Sequence, residues 1–248
     1  MIQLKSSQEI AKMEAANRIV AEILEEVKSQ VRPGVETREL DELAESLCHK
    51  HKVKPAFKGY RGYNHSLCIA VNEEVVHGIP GPRQLKTGDL VSLDFGVLHE
   101  GFYGDAAITT AVGEVSPQAQ KLVKATEESL YAGISELKVG GRLSDVSHAV
   151  QTTVEGYGFS VIRQFVGHGI GRALHEDPQI PNFGPKGRGP ALKVGMTLAI
   201  EPMTSAGSWE VKILEDGWTA VTEDGSLAAH FEHTVALTEN GVLILSRL

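Results

Sequence analysis

A chain of 248 residues with 42% hydrophobic content can bury a large core, as one sizeable domain or as two closely joined halves. Its 32 acidic and 24 basic residues leave a net charge of -8, which argues against a nucleic-acid-binding surface as its main business. Two cysteines, Cys48 and Cys68, are too few for a disulfide framework, and no signal-like start or membrane-length apolar run is present, so a reduced, soluble, cytoplasmic protein is expected.

Ser6-Ser7-Gln8-Glu9 has the spacing of a capping box, and Ile10, Met13, Val20, Ile23, Leu24 and Val27 follow at helical period, predicting a first helix that ends before Pro33-Gly34. Thr37 is the expected cap of a second helix with the stripe Leu40, Leu43, Ala44 and Leu47. An aromatic and glycine loop from Phe57 to Asn64 leads to a short strand from Ser66 to Val71, and irregular backbone from His77 to Pro82 leads to a hairpin. That hairpin, Gly88 to Val112, reads as two apolar strands around His99-Glu100-Gly101, each with one aspartate. With His99 and Glu100 as the turn, Leu98 faces Gly101 and Asp94 falls opposite Asp105 on one face of the sheet. Two facing carboxylates repel unless a cation lies between them, and a hard divalent metal is the natural candidate. A solvated edge hairpin is the alternative; Val91, Leu93, Phe95 and Val97 on one face, with Leu90, Ser92 and Gly96 around Asp94 on the other, weigh against it.

Ser116-Pro117 opens a third helix carrying Leu122, Val123, Leu130, Ile134 and Leu137, and Ser144 opens a fourth that stops near Gly156. A strand from Phe159 to Val166 should deliver Gly167-His168-Gly169, followed by a Gly/Pro-rich loop from Pro178 to Pro190. Further strands are expected around Met196 to Pro202, Glu210 to Leu214, Trp218 to Thr222 and Leu227 to Leu237. The second half repeats the first. Leu85 to Asp94 aligns without gaps on Leu192 to Glu201, Arg32-Pro33-Gly34 corresponds to Lys138-Val139-Gly140, and His-Gly-Ile occurs at His77 and His168. A duplication follows, with halves of about 1–113 and 114–248 and Glu201 at the mirror position of Asp94.

Two more groups join the site on chemical grounds. His168 lies between glycines, where the backbone can bend and leave the imidazole projecting, and Glu232 is a charge in the alternating strand around FEHT. Singly, each fits a blander role, His168 as a turn residue and Glu201 or Glu232 as an edge-strand charge. Together Asp94, Asp105, His168, Glu201 and Glu232 carry four negative charges, which match two divalent ions of Mn, Fe, Co or Zn. A dinuclear site activates water and polarises a carbonyl, the equipment of an amide hydrolase.

The strings HGIPG at His77, the Asp94 and Asp105 pair, GHGIGRALHEDP at Gly167, EPM at Glu201 and FEHT at Glu232, in this order and spacing, resemble the type I methionine aminopeptidases in their short, bacterial form, over essentially the whole chain. The resemblance implies an α+β pita-bread fold: one catalytic domain over 1–248, a curved antiparallel sheet covered by helices, with pseudo-twofold halves. It implies removal of the initiator methionine from nascent proteins when the second residue is small, by a water bridging two metal ions. Asp94, Asp105, His168, Glu201 and Glu232 are then the metal ligands, with Asp105 and Glu232 bridging and Glu201 handling the proton of the attacking water. His77 and His175 contact the scissile amide and its developing oxyanion. Tyr60, Tyr63, Cys68 and Trp218 form the methionine pocket, whose aromatic rings suit a thioether. Two positions depart from the pattern: Phe57 stands where a cysteine is common, and Leu174 where a phenylalanine is common. The expected partner is the N-terminal peptide of a nascent chain, with the ribosome as a further candidate, a monomeric protein, and no membrane or direct nucleic-acid role. A proline-directed aminopeptidase or dipeptidase of the same fold usually brings a large N-terminal domain for which this chain has no room. A non-catalytic peptide-binding relative would have lost ligands, and here all five positions are filled.

Overall fold

The computed structural model describes residues 1–247. Four helices, α1 (Ser7–Ser29), α2 (Thr37–His51), α3 (Pro117–Ser135) and α4 (Leu143–Gly156), accompany a nine-stranded antiparallel sheet and two small three-stranded ones. The large sheet runs Lys54–Pro55, Leu90–His99, Phe102–Ala111, Glu232–Thr238, Thr197–Ile200, Gly167–Gly169 and Glu176–Ile180, with Leu67–Val71 and Gly241–Ile244 added to its second and fourth strands. One apolar cluster joins α1 and α2 to the strands of the first half through Val20, Ile23, Leu40, Leu93 and Phe95. A second joins α3 and α4 to those of the second half through Leu130, Leu143, Val146, Leu198 and Val235. No helix among the described residues is long and apolar enough to cross a membrane.

The caps explain where the helices begin. Ser6 caps α1 and shares a capping box with Glu9, and Ser116 caps α3 with Pro117 in its first turn, as the sequence predicts. The other two starts are corrected. Glu36, not Thr37, caps α2, and its N–H is taken by the Glu39 carboxylate. Arg142 caps α4 in the same way through Asp145, so Ser144 lies inside the first turn. Both hydroxyls are engaged by a crossing loop: Thr37 donates to the Gly81 carbonyl and accepts the Gly81 N–H, while Ser144 accepts the N–H of Arg188.

This parallel belongs to a backbone repeat that follows the aligned segments bond by bond. Gly34 N–H donates to Leu85 O at 2.8 Å and Leu85 N–H to Val35 O at 2.9 Å; Gly140 N–H donates to Leu192 O and Leu192 N–H to Gly141 O, both at 2.9 Å. Thr37 N–H reaches Arg83 O as Leu143 N–H reaches Pro190 O, and Gly88 N–H reaches Val112 O as Gly195 N–H reaches Leu237 O. The matched glycines Gly34 and Gly140 have φ of 90° and 86°, and Gly88 and Gly195 have 102° and 89°, a region where a side chain is strained. The two halves therefore build equivalent turns from equivalent residues.

The hairpin register differs from the predicted one. Glu100 and Gly101 form the turn, with φ of 48° and 83°, the two positive values of a tight hairpin turn that matches strand twist. His99 therefore pairs with Phe102, Asp94 with Ala107, and Gly96 with Asp105. Asp94 and Asp105 are diagonal rather than opposite. Because the partner moves by two positions and strand side chains alternate with period two, both aspartates still share a face.

Two predicted strands are interrupted. Only Ser160–Val161 survives of the Phe159 to Val166 segment: Val161 pairs with Thr204 and Ile162 N–H reaches Met203 O, after which Pro202 offers no N–H to continue the ladder. The Leu227 to Leu237 segment breaks at Phe231 into Ala228–His230, in a small sheet, and Glu232–Thr238, in the large one.

Candidate metal centre and substrate cavity

Five neighbouring positions across the large sheet each supply one chemically active side chain. Asp94 lies on Leu90–His99, Asp105 on Phe102–Ala111, Glu232 opens Glu232–Thr238, Glu201 follows Thr197–Ile200, and His168 is the centre of Gly167–Gly169. Register puts them on one face. Asp94 and Glu232 both pair with Ala107, two residues from Asp105; His168 pairs with Ala199, two residues from Glu201; and Thr234, two residues from Glu232, pairs with that same Ala199. Period-two alternation then aims all five toward one space.

Ligand atoms of Asp105, His168 and Glu232 lie within 4.8 Å of one another. His168 Nε2 is 3.4 Å from Glu201 Oε1 and 4.0 Å from Asp105 Oδ2. Close approach to the sheet is obtained with glycine: a Cβ on Gly167 would stand 2.4 Å from Ala199 O and one on Gly169 2.1 Å from Asp177 O. Burial pushes the pKa of Asp94 up to about 7. Burial first, and then the charge of Asp94, raises Asp105 well above the usual carboxylate range, and the same two causes raise Glu201. Glu232 is raised by burial and then by Asp105, Glu201 and Asp94. Asp105 Oδ1 and Glu232 Oε1 are buried with no hydrogen-bond partner.

Every side chain predicted from sequence for this site, ligand or pocket, lines the same cavity of about 180 Å³. Its floor is aromatic. Tyr63 is fixed by donating to Leu67 O and Gly78 O and stands edge-on to Trp218, with ring centroids 5.2 Å apart; Cys68 pairs with Asp94 across the sheet. His77 meets Phe165 edge-on at 5.4 Å and Trp218 at 6.3 Å. On the other wall Tyr60 stacks on His175 and its hydroxyl lies 2.9 Å from His175 Nδ1. Burial lowers His77 to about 4 and His175 to about 3, so both imidazoles are neutral at neutral pH. Phe57 and Leu174 belong to one apolar cluster, so the larger ring at one position is set against the smaller side chain at the other.

Sequence reasoning missed Arg61, Val76, Phe165 and Val166, which also line the cavity, and His230, which lies behind Glu201. His230 has the strand parity of Glu232, a signal that the period-two pattern already contained.

The description of metallopeptidase family M24 matches residues 11–239. The chain belongs to metallopeptidase family M24. Within M24 it is 54% identical to methionine aminopeptidase 1 of Bacillus subtilis (strain 168) over 248 residues, covering 100% of both chains. The crystal structure of methionine aminopeptidase from Thermotoga maritima matches with a TM-score of 0.98 at 53% identity, again over 100% of both chains. Prolidase from Pyrococcus furiosus shares the fold, with a TM-score of 0.81 at 23% identity, over 99% of this chain and 65% of that one. The pita-bread fold expected from sequence is thus the fold of this M24 metallopeptidase, and its full-length similarity is to the bacterial methionine aminopeptidases.

Proposed function

We propose that this metallopeptidase removes the N-terminal methionine of nascent proteins whose second residue is small, with two divalent ions held by Asp94, Asp105, His168, Glu201 and Glu232. One observation carries the metal assignment. His168 Nδ1 lies 2.9 Å from Gly169 O, a pure acceptor, so Nδ1 holds the proton and Nε2 presents a lone pair. That lone pair faces Glu201 Oε1 and Asp105 Oδ2 at 3.4 and 4.0 Å. Acceptors converging in a buried space fit a cation among them, and the unpartnered Asp105 Oδ1 and Glu232 Oε1 belong to the same donor set. Four carboxylates and one imidazole suit a pair of Mn, Fe, Co or Zn ions by charge. Such ions act as Lewis acids that polarise a carbonyl and make water a better nucleophile at neutral pH.

The chain's own residues do the rest. Tyr60, Tyr63, Cys68 and Trp218, with Phe57 and Leu174, receive the methionine side chain, whose sulfur gains from aromatic edges. Glu201, which lines the same cavity, takes the proton of the attacking water. A Tyr60 O–H donated to His175 Nδ1 leaves the proton of that neutral ring on Nε2, a donor for the scissile amide and its oxyanion, and His77 supplies a second. The second residue of the substrate meets a stiff wall, because His77 packs on Phe165 and a Cβ on Gly78 would stand 2.0 Å from Ile69 O, leaving that loop no room to retreat. We place the activity in the cytoplasm, on chains leaving the ribosome, carried out by a single-domain monomer.

A peptide panel tests this reading. Metal-loaded protein should release methionine from Met-Ala-Ser and leave Met-Lys-Ser and Ala-Pro peptides intact; EDTA should abolish release and Mn²⁺ or Co²⁺ restore it. Efficient cleavage of Met-Lys-Ser, or undiminished release in EDTA, would overturn it.

A further inference from the structure

His230 is 1% exposed, and neither of its ring nitrogens has a hydrogen-bond partner. Buried polar atoms are nearly always bonded, so two orphaned nitrogens on one ring call for a reason. The backbone around them is well anchored. His230 N–H donates to Thr109 Oγ1 at 2.9 Å, Thr109 donates back to His230 O at 2.7 Å, and Thr109 is itself 2.8 Å from Ser92 Oγ. His230 also pairs with Met203 in its small sheet. A ring on so firm a base is aimed, and what it is aimed at is Glu201: His230 Nε2 is 3.8 Å from Glu201 Oε2.

The two oxygens of Glu201 thus face different partners. Oε1 looks toward His168 at 3.4 Å, and Oε2 toward His230. A carboxylate that handles a proton must hold its working oxygen in one direction, and a donor on the other oxygen achieves this. The separation exceeds a normal N–H···O bond by about 1 Å, a gap that a small rotation of the Glu201 side chain closes.

We infer that His230 is a positioning residue that donates its Nε2–H to Glu201 Oε2 and so holds Glu201 Oε1 toward the reacting centre. The inference rests on the proposed aminopeptidase reading for its kinetic consequence, and on geometry alone for the hydrogen bond. Two variants and one spectroscopic signature test it on the full chain loaded with diamagnetic Zn²⁺. His230→Leu keeps the volume and removes the donor; His230→Gln keeps a neutral N–H. In His230→Leu, kcat for Met-Ala-Ser should fall ~10- to 100-fold with KM within twofold and metal content unchanged, and His230→Gln should recover at least a third of wild-type kcat. In ¹⁵N-histidine-labelled protein, the His230 signals should show a proton on Nε2, in slow exchange with water, that moves in Glu201→Gln. A His230 protonated on Nδ1 alone, a His230→Leu with more than half the wild-type kcat, equal losses in the two variants, or loss of metal accounting for the fall would each overturn it. If wild type released no methionine, the functional reading would fail while the ring-nitrogen signals still decided whether the hydrogen bond exists.

Discussion

His77 adopts φ of 61°, in the left-handed region that a non-glycine residue occupies at a cost of about 1 kcal/mol or more. Such strain persists where the surroundings impose it, and here the Phe165 and Trp218 rings and the confined Gly78 do so. The ring is neutral at neutral pH, which suits a hydrogen-bond donor and not a counter-ion. Replacing His77 with alanine should therefore lower kcat by ~10²-fold, the loss of one aimed donor, with bound metal at the wild-type level by elemental analysis. Loss of metal in that variant would make His77 a ligand and break the five-residue set. The histidines of this site were legible from their strings and His230 was not, because it lies in HFEHT beside a stronger signal, the out-of-place charge of Glu232.

At the scale of elements, the site depends on how closely α1 lies on the Phe102–Ala111 strand. A Cβ on Gly104 would stand 2.9 Å from Ala16 C and Asn17 N, within the backbone of α1. This contact lets Asn17 donate to Met13 O and accept the N–H of Asp105, so the helix fixes the strand at the residue that matters. Gly104→Ala should lift α1 and destabilise the protein by about 1–3 kcal/mol, as overpacking does, a fall in Tm of roughly 3–10 °C for a chain of this size. An unchanged melting temperature would show that α1 packs more loosely than this. Elements of this kind are legible in sequence where the signal is local: the Ser6 and Ser116 caps and the apolar stripes of the first three helices stand as predicted. Signals that depend on distant partners were misread. Thr37 and Ser144 look like caps, yet loops more than forty residues away claim their hydroxyls. The hairpin register turned on which pair of residues takes positive φ, and Glu100 could be chosen over His99 only once the turn was seen. The site survived that slip because a shift of two keeps side chains on their face.

For the whole molecule, two equivalent halves set their strands side by side and leave acidic groups from both facing one space. In metal-free protein this has a pH signature. Asp94 is raised to about 7, and Asp105, Glu201 and Glu232 are raised well above the usual carboxylate range, so near neutral pH the native state holds protons that the unfolded chain has lost. Groups raised in this way stabilise at low pH, and that stability is lost as pH climbs through their folded pKa values. The buried histidines His77, His168, His175, His230 and His233, which are lowered, act in the opposite sense around and below about pH 6.5, where the unfolded chain charges its own, and this effect fades above about pH 7. Metal-free protein should therefore melt progressively lower from about pH 7 to 8, by roughly 1 kcal/mol per pH unit for each carboxyl that keeps its proton. Metal-loaded protein should not, since the ions displace those protons and bind more tightly as pH rises. Parallel curves in calorimetric scans with and without metal would contradict this.

That four carboxylates and one imidazole from five neighbouring strand positions are held together around cations is the claim on which the rest depends, and four melts at neutral pH test it directly. Wild type and Asp105→Asn are each melted in EDTA and in Mn²⁺ or Co²⁺. Asparagine resembles the protonated Asp105 of the metal-free site, so in EDTA the variant should be no less stable than wild type. Metal that binds only the folded site should stabilise wild type by about 2.7 kcal/mol at a hundredfold excess over Kd, a rise of roughly 5–10 °C, and Asp105→Asn should lose most of that rise. Equal rises in the two proteins would put the metal elsewhere, and no rise in wild type would contradict a metal centre among these side chains.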